Sequence, residues 1–240
     1  MEIKSYAPAV VKDTVDEGLR SYMLKVYNYM AGGLCLTALT VYLLIYTGLI
    51  RMFFSITETS VGLSLLGWAA LIAPFVMFFV FNSSLQRGSF SKVQTIFWLF
   101  SAVMGASISP IIMMYTGVSV FRVFLITAAT FGSMSLYGYT TKRDLTSLGS
   151  FLIMGLWGVI IASVVNIFLH SSTMYWVLSY ISVAIFVGLT AYDTQRIRNM
   201  YRSQYDEDIM NRMAVAGALS LYMDFINLFL DLLRIIGDRK

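Results

Sequence analysis

Residues 214–236 read AVAGALSLYMDFINLFLDLLRII. At 23 residues the stretch is long enough to cross a bilayer, which needs ~20 mostly apolar residues. Its polar members are Ser220, Asp224, Asn227 and Asp231, apart from the terminal Arg234. They recur in steps of four, three and four, so on a helix of ~3.6 residues per turn they share one face. A carboxylate near the middle of a span costs ~3 kcal/mol on an insertion scale unless protein or water surrounds it. The alternative is a re-entrant or interfacial segment. The single oxygen-bearing face favours a full span enclosed by other helices, with that stripe turned to protein, water or an ion.

Six further apolar stretches precede it, at 22–46, 61–81, 93–115, 120–139, 148–168 and 174–192. Pro74 and Pro110 lie inside the second and third, where proline kinks a span rather than ending it. Hydrophobic residues make up 58% of the 240 and charged residues 12%. The mean hydropathy is +0.73. A soluble domain carries nearer ~25% charge and could not hide so much apolar side chain from water. The expected fold is therefore an all-α, seven-transmembrane-helix bundle with the last helix at its centre, residues 21–240, after a cytoplasmic N-terminal tail of residues 1–20. That tail mixes both signs of charge and lacks the apolar core of a cleaved signal peptide.

The connections carry the basic residues. Twelve Lys and Arg fall on the side of the N-terminus and five on the other. The positive-inside rule then puts the N-terminus in the cytoplasm. The basic tail at Arg234, Arg239 and Lys240 speaks for the alternative of an even span count. A net charge of +4, dispersed over these connections, gives no nucleic-acid-binding surface. The composition makes the lipid bilayer the expected partner, and two carboxylates among the apolar spans, Asp193 and Asp224, add Ca²⁺ and H⁺. The lone Cys35 excludes an internal disulfide and reads as packing, as do the 15 methionines.

Two carboxylates stand out from those in the tails and loops. Asp193 closes span six in GLTAYDTQRIR (188–198), and Asp224 lies in span seven about 15 Å from the cytoplasmic end at ~1.5 Å per residue. Two neighbouring carboxylates in a low-dielectric site cannot both ionise cheaply and titrate as a unit. Ionised, they offer hard oxygens suited to Ca²⁺, and being only two they bind it weakly. The structural alternative is that these groups join helices by hydrogen bonds, or that Asp193 caps a solvated helix end. Arg87, after span two at the same level, is a candidate latch for the pair; ordinary loop charge is the other reading. His170 falls in a far-side turn. Gly105-Ala106-Ser107 loosely suggests a nucleophile turn without a histidine to serve it. HExxH, phosphate-loop and dinucleotide motifs are absent, and span seven has no lysine for a retinal. No catalytic residues and no cofactor are expected.

The segments AYDTQ (191–195), LYMDFINLF (221–229), KRDLTSLGSFL (142–152), SISPI (107–111) and VNIF (165–168) resemble the Bax inhibitor-1 family, over the whole chain beyond the tail. The resemblance implies a seven-helix fold with the last helix central, and a pH-sensitive Ca²⁺ leak gated by an aspartate pair, here Asp193 and Asp224. It implies an arginine latch near the end of span two, for which Arg87 in NSSLQRG (82–88) is the nearest match. Asp231 departs from the more neutral residue expected there. The short connections resemble bacterial members and imply the plasma (inner) membrane. The expected function is a passive Ca²⁺ leak opened by acid. The alternatives are a proton-coupled secondary transporter and a non-transporting membrane interaction protein.

Overall fold

The structure, a computed structural model, describes residues 7–57, 60–202 and 204–240. Its helices are α1 (Ala7–Tyr46), α2 (Leu65–Arg87), α3 (Phe90–Met113), α4 (Gly117–Thr140), α5 (Thr146–Leu169), α6 (Ser172–Met200) and α7 (Glu207–Ile236). All seven are long and apolar enough to span a membrane, so the chain is a seven-helix, multi-pass membrane bundle.

Four boundaries differ from the sequence reading. Residues 61–63 are not the start of span two. They belong to an antiparallel hairpin of β1 (Phe54–Thr57) and β2 (Ser60–Leu63), with Phe54 opposite Leu63. A 3₁₀ turn over Leu49–Phe53 leads into it. Ser64 then starts α2: its Oγ accepts from Gly67 N at 3.1 Å and donates to Met52 O at 2.6 Å. A four-residue apolar strand abutting an apolar helix is invisible to a window the length of a span. Helix α1 begins at Ala7, so the helix of the first span reaches back into the tail; residues 1–6 lie outside the described residues. Span six continues to Met200, so Asp193 sits about two turns inside α6 rather than closing it. Arg196 and Arg198 look like loop charge in a hydropathy profile, yet they extend the helix. Span seven likewise begins earlier, at Glu207. Cys35 is exposed on the outside of α1 rather than packed.

Helix α7 packs against α1, α3, α4 and α6. Of its most apolar stretch 67% is buried, against 6% for α5, whose Phe151, Met154 and Trp157 face outward. Water would not tolerate such a surface, whereas lipid does. The core centres on Tyr222, which is fully buried with Phe97 and Phe100 edge-on at 6.2 and 6.0 Å. Phe225 meets Phe124 and Phe131 the same way, each at 5.5 Å. Such edge-to-face pairs contribute ~0.5–1.5 kcal/mol each beyond area burial.

Between membrane helices lipid removes most of the hydrophobic drive, so close backbone approach and hydrogen bonds matter more. A Cβ on Gly105 would lie 2.7 Å from Thr37 O, and one on Gly138 would collide with Ala191 O. Glycine lets α3 approach α1, and α4 approach α6, at these crossings. Thr37 Oγ1 donates to Ser101 O at 2.8 Å, which leaves Tyr222 OH to donate to Thr37 Oγ1 at 2.7 Å. Thr194 Oγ1 donates to Thr190 O, so Ser135 donates to Thr194 and Tyr27 to Ser135. These two relays tie α1 to α3 and α7, and α1 to α4 and α6.

Candidate functional site

Helices α6 and α7 are consecutive and antiparallel, joined across residues 201–206, so their adjoining ends lie side by side. Asp193 from α6 and Asp224 from α7 line one cavity of about 720 Å³. Ser220 and Asn227 share it, each one turn from Asp224 on the same face of α7. Arg196, Arg212 and Asn82 complete its polar lining, and Phe78, Phe81, Leu156 and Phe186 are among its apolar walls. Charges act strongly on one another in such surroundings because little water screens them.

Asp224 is 6% exposed, and its Oδ2 has no hydrogen-bond partner among the described residues. A buried carboxylate oxygen without a partner is costly, and a proton, water or cation relieves the cost. Asp224 lies within Coulombic reach of both Asp193 and Arg196. Asp193 Oδ1 faces Arg196 Nη1 at 3.4 Å, one turn along α6. The Asp193 side chain is 13% exposed and that of Arg196 43%, so the pair is loose at its wet end. The guanidinium stands where a cation attracted to Asp193 would come.

Arg87 does not reach this pair. It is exposed at the end of α2, does not line the cavity, and forms no ion pair among the described residues. The arginine at the carboxylates is Arg196, three residues after Asp193, a spacing that reads as one helical turn only once α6 is known to continue past 192. Arg212 acts nearby. It pairs with Asp208 at 2.9 Å and donates to Leu85 O at 3.2 Å, while Asp208 accepts from Phe90 N. The start of α7 is thereby clamped to the α2–α3 turn. Gln195, also missed in the sequence, accepts from Leu145 N and donates to Arg143 O, fixing the α4–α5 turn against α6.

The polar stripe of α7 divides. Ser220, Asp224 and Asn227 face the cavity, whereas Asp231 does not line it. Asp231 accepts from Ser182 on α6 and pairs with Arg234 at 3.1 Å. His170 caps the C-terminus of α5 in a left-handed conformation, φ 50°, on the opposite end of the bundle. Gly105-Ala106-Ser107 lies within α3 and makes no turn. No group of three or more His, Cys, Asp or Glu able to hold a metal occurs among the described residues.

Residues 19–240 match the family model described as Inhibitor of apoptosis-promoting Bax1. An uncharacterized protein of Rickettsia prowazekii is 43% identical over 227 residues, covering 95% of this chain and 93% of that one. The inner membrane protein YbhL of Escherichia coli K12 is 42% identical over 226 residues, covering 93% and 94%. An uncharacterized membrane protein of Streptococcus pyogenes serotype M1 is 37% identical over 228 residues, covering 95% and 97%. Both the family match and these alignments take in the crossing of α6 and α7, and the chain belongs to the Bax inhibitor-1 family.

Proposed function

We propose that the protein is a pH-sensitive Ca²⁺ leak whose path is controlled by Asp193 and Asp224. The observation that carries this reading is that both carboxylates line one cavity, with an unpartnered oxygen on the deeper of the two. Ca²⁺ prefers six to eight oxygens. Two carboxylates with Ser220 and Asn227 fall short of that, which suits passage better than storage. In this arrangement Arg196 neutralises Asp193 and repels an entering cation, so the path is closed. Protonation of the pair weakens its hold on Arg196, the guanidinium swings toward the open end of the cavity, and acid opens the path. Protonation also weakens cation attraction, which limits flux once both groups are neutral.

The test is Ca²⁺ release from proteoliposomes loaded with a Ca²⁺ dye, followed against pH. Wild type is expected to leak faster than empty vesicles, and faster in acid. Asp193→Asn and Asp224→Asn are expected to flatten the pH response. Unchanged flux and unchanged pH response in both variants would falsify the mechanism.

A cavity of about 720 Å³ also favours a second reading, since small-molecule sites span ~300–1,000 Å³. A proton-coupled transporter of a small solute would show saturable flux driven by a proton gradient. Vesicles no leakier than empty ones would point instead to a non-transporting interaction protein. We assign no catalytic role. The proposed location is a bacterial inner membrane with the N-terminus in the cytoplasm. The relative named an inner membrane protein in E. coli supports the first, and the excess of basic residues at the N-terminal side supports the second.

A further inference from the structure

A second polar cavity lies at the other end of the bundle, where α5 ends, α6 begins and the chain leaves α7. It measures about 670 Å³, and its lining contains Arg234, Arg239, His170, Asn166 and Ser171 but no carboxylate among the described residues. Each arginine is held by an aromatic ring: Arg234 over Tyr175 at 5.4 Å, and Arg239 over Tyr115 at 5.8 Å. Arg234 spends one Nη on Asp231 and lines the cavity with further N–H groups to offer. Arg239 is steadied through its backbone as well. The final residues run along the α3–α4 connection, with Tyr115 bridged to Arg239, Thr116 N donating to Asp238 O and Lys240 N to Met114 O, each at 3.0 Å. Two guanidiniums on so short a tether are placed, not waving.

Asn166 and Ser171 organise the floor. Asn166 Oδ1 accepts from Ser171 N at 3.1 Å, which leaves its amide nitrogen, a donor, for another partner. Ser171 Oγ accepts from Met174 N, while the neighbouring amides of Ser172 and Thr173 take no partner among the described residues. Planar guanidinium forks with further N–H donors, and no acidic group on the wall, match a phosphate better than a carboxylate or a cation. The flanks indicate where that phosphate comes from. Trp176 lines the cavity at 43% exposure, and Phe168 and Leu169 beside it are 81% and 62% exposed on the lipid side. Tryptophan at this level is characteristic of the headgroup boundary.

We propose that this cavity binds the phosphate group of an anionic phospholipid at the membrane face shared by the α5–α6 turn and the C-terminus. The site is separate from the Asp193–Asp224 cavity and does not rest on the Ca²⁺ reading.

The experiment is native mass spectrometry of the full-length protein titrated with phosphatidylglycerol, phosphatidylcholine or diacylglycerol, with inorganic phosphate as a separate arm. One phosphatidylglycerol is expected to be retained, diacylglycerol not at all, and phosphatidylcholine more weakly for want of net charge. Arg239→Gln is expected to weaken phosphatidylglycerol binding about tenfold or more, the effect of losing a charge-assisted contact. Arg239 is exposed and outside α7, so its loss spares the fold; Arg122→Gln, an exposed arginine on the same face paired with Asp238, is the control and keeps the lipid. Binding of inorganic phosphate with the same dependence on Arg239, and without lipid retention, supports a phosphate site but assigns it to the free anion. Retention that ignores the headgroup, or that is equal in wild type and Arg239→Gln, overturns the proposal.

Discussion

At the scale of single residues, Arg196 and Tyr222 carry opposite kinds of consequence. Arg196 is the counter-charge at the candidate path, and Arg87 is remote from it. Arg196→Gln is therefore expected to raise Ca²⁺ leak at neutral pH toward the acid level and to flatten the pH profile, while Arg87→Gln leaves both unchanged; proteoliposome flux distinguishes them. If Arg87→Gln changed the profile and Arg196→Gln did not, the latch would belong to another conformation. Tyr222 acts on stability. Removing its hydroxyl as Tyr222→Phe leaves Thr37 still bonded to Ser101, so the cost is about 1 kcal/mol. Thr37→Val instead strands the Tyr222 hydroxyl in the core and costs about 2 kcal/mol. Unfolding in mixed micelles at increasing denaturing detergent measures both, and the order of the two variants is the informative result.

At the scale of elements, helix starts and crossings decide what the chain tolerates. The Asp144 carboxylate, just before α5, accepts from Thr146 N at 2.9 Å and Thr146 Oγ1 at 2.6 Å. These bonds hold it below its ordinary value of 3.8. A depressed carboxyl contributes stability above that value and loses it as the pH falls through the lowered one. Asp144→Ala is thus expected to melt below wild type at pH 6, with the gap closing in strong acid. Gly138 lies where α4 crosses the backbone of α6, so Gly138→Leu forces the helices apart at about 3 kcal/mol, read as a lower unfolding midpoint. The helices themselves were legible because a lipid-exposed backbone has few alternatives to an unbroken apolar helix. The hairpin at 54–63 was not, since two short strands fall below the resolution of a span-length pattern. The polar end of α6 was not, because Arg196 and Arg198 extend a helix into water, where hydropathy has no say. Asp193 and Asp224 were found because a carboxylate among apolar neighbours demands a reason. Arg196 was missed because choosing among arginines near one membrane face requires knowing which helix each continues.

At the scale of the whole molecule, the two ends of the bundle differ in kind. One gathers the N-terminal side of α1, the α2–α3, α4–α5 and α6–α7 turns, and most of the basic residues; the other holds the hairpin, the α5–α6 turn and the C-terminus. In a Cys35→Ser background, a cysteine at Lys142 is expected to resist a membrane-impermeant maleimide in intact cells, and one at exposed Met52 to react. The reverse pattern would invert the assigned orientation. The enclosed position of α7 sets an order on synthesis. This helix is made after the other six, yet it occupies the axis around which they stand. Those helices must therefore wait as a half-closed collar in the bilayer, with Thr37 bonded to Ser101 but lacking its Tyr222 partner, until α7 slides in. A chain stalled just short of Glu207 would be a conspicuous client for membrane quality control, because the thirty residues of α7 are what close the collar.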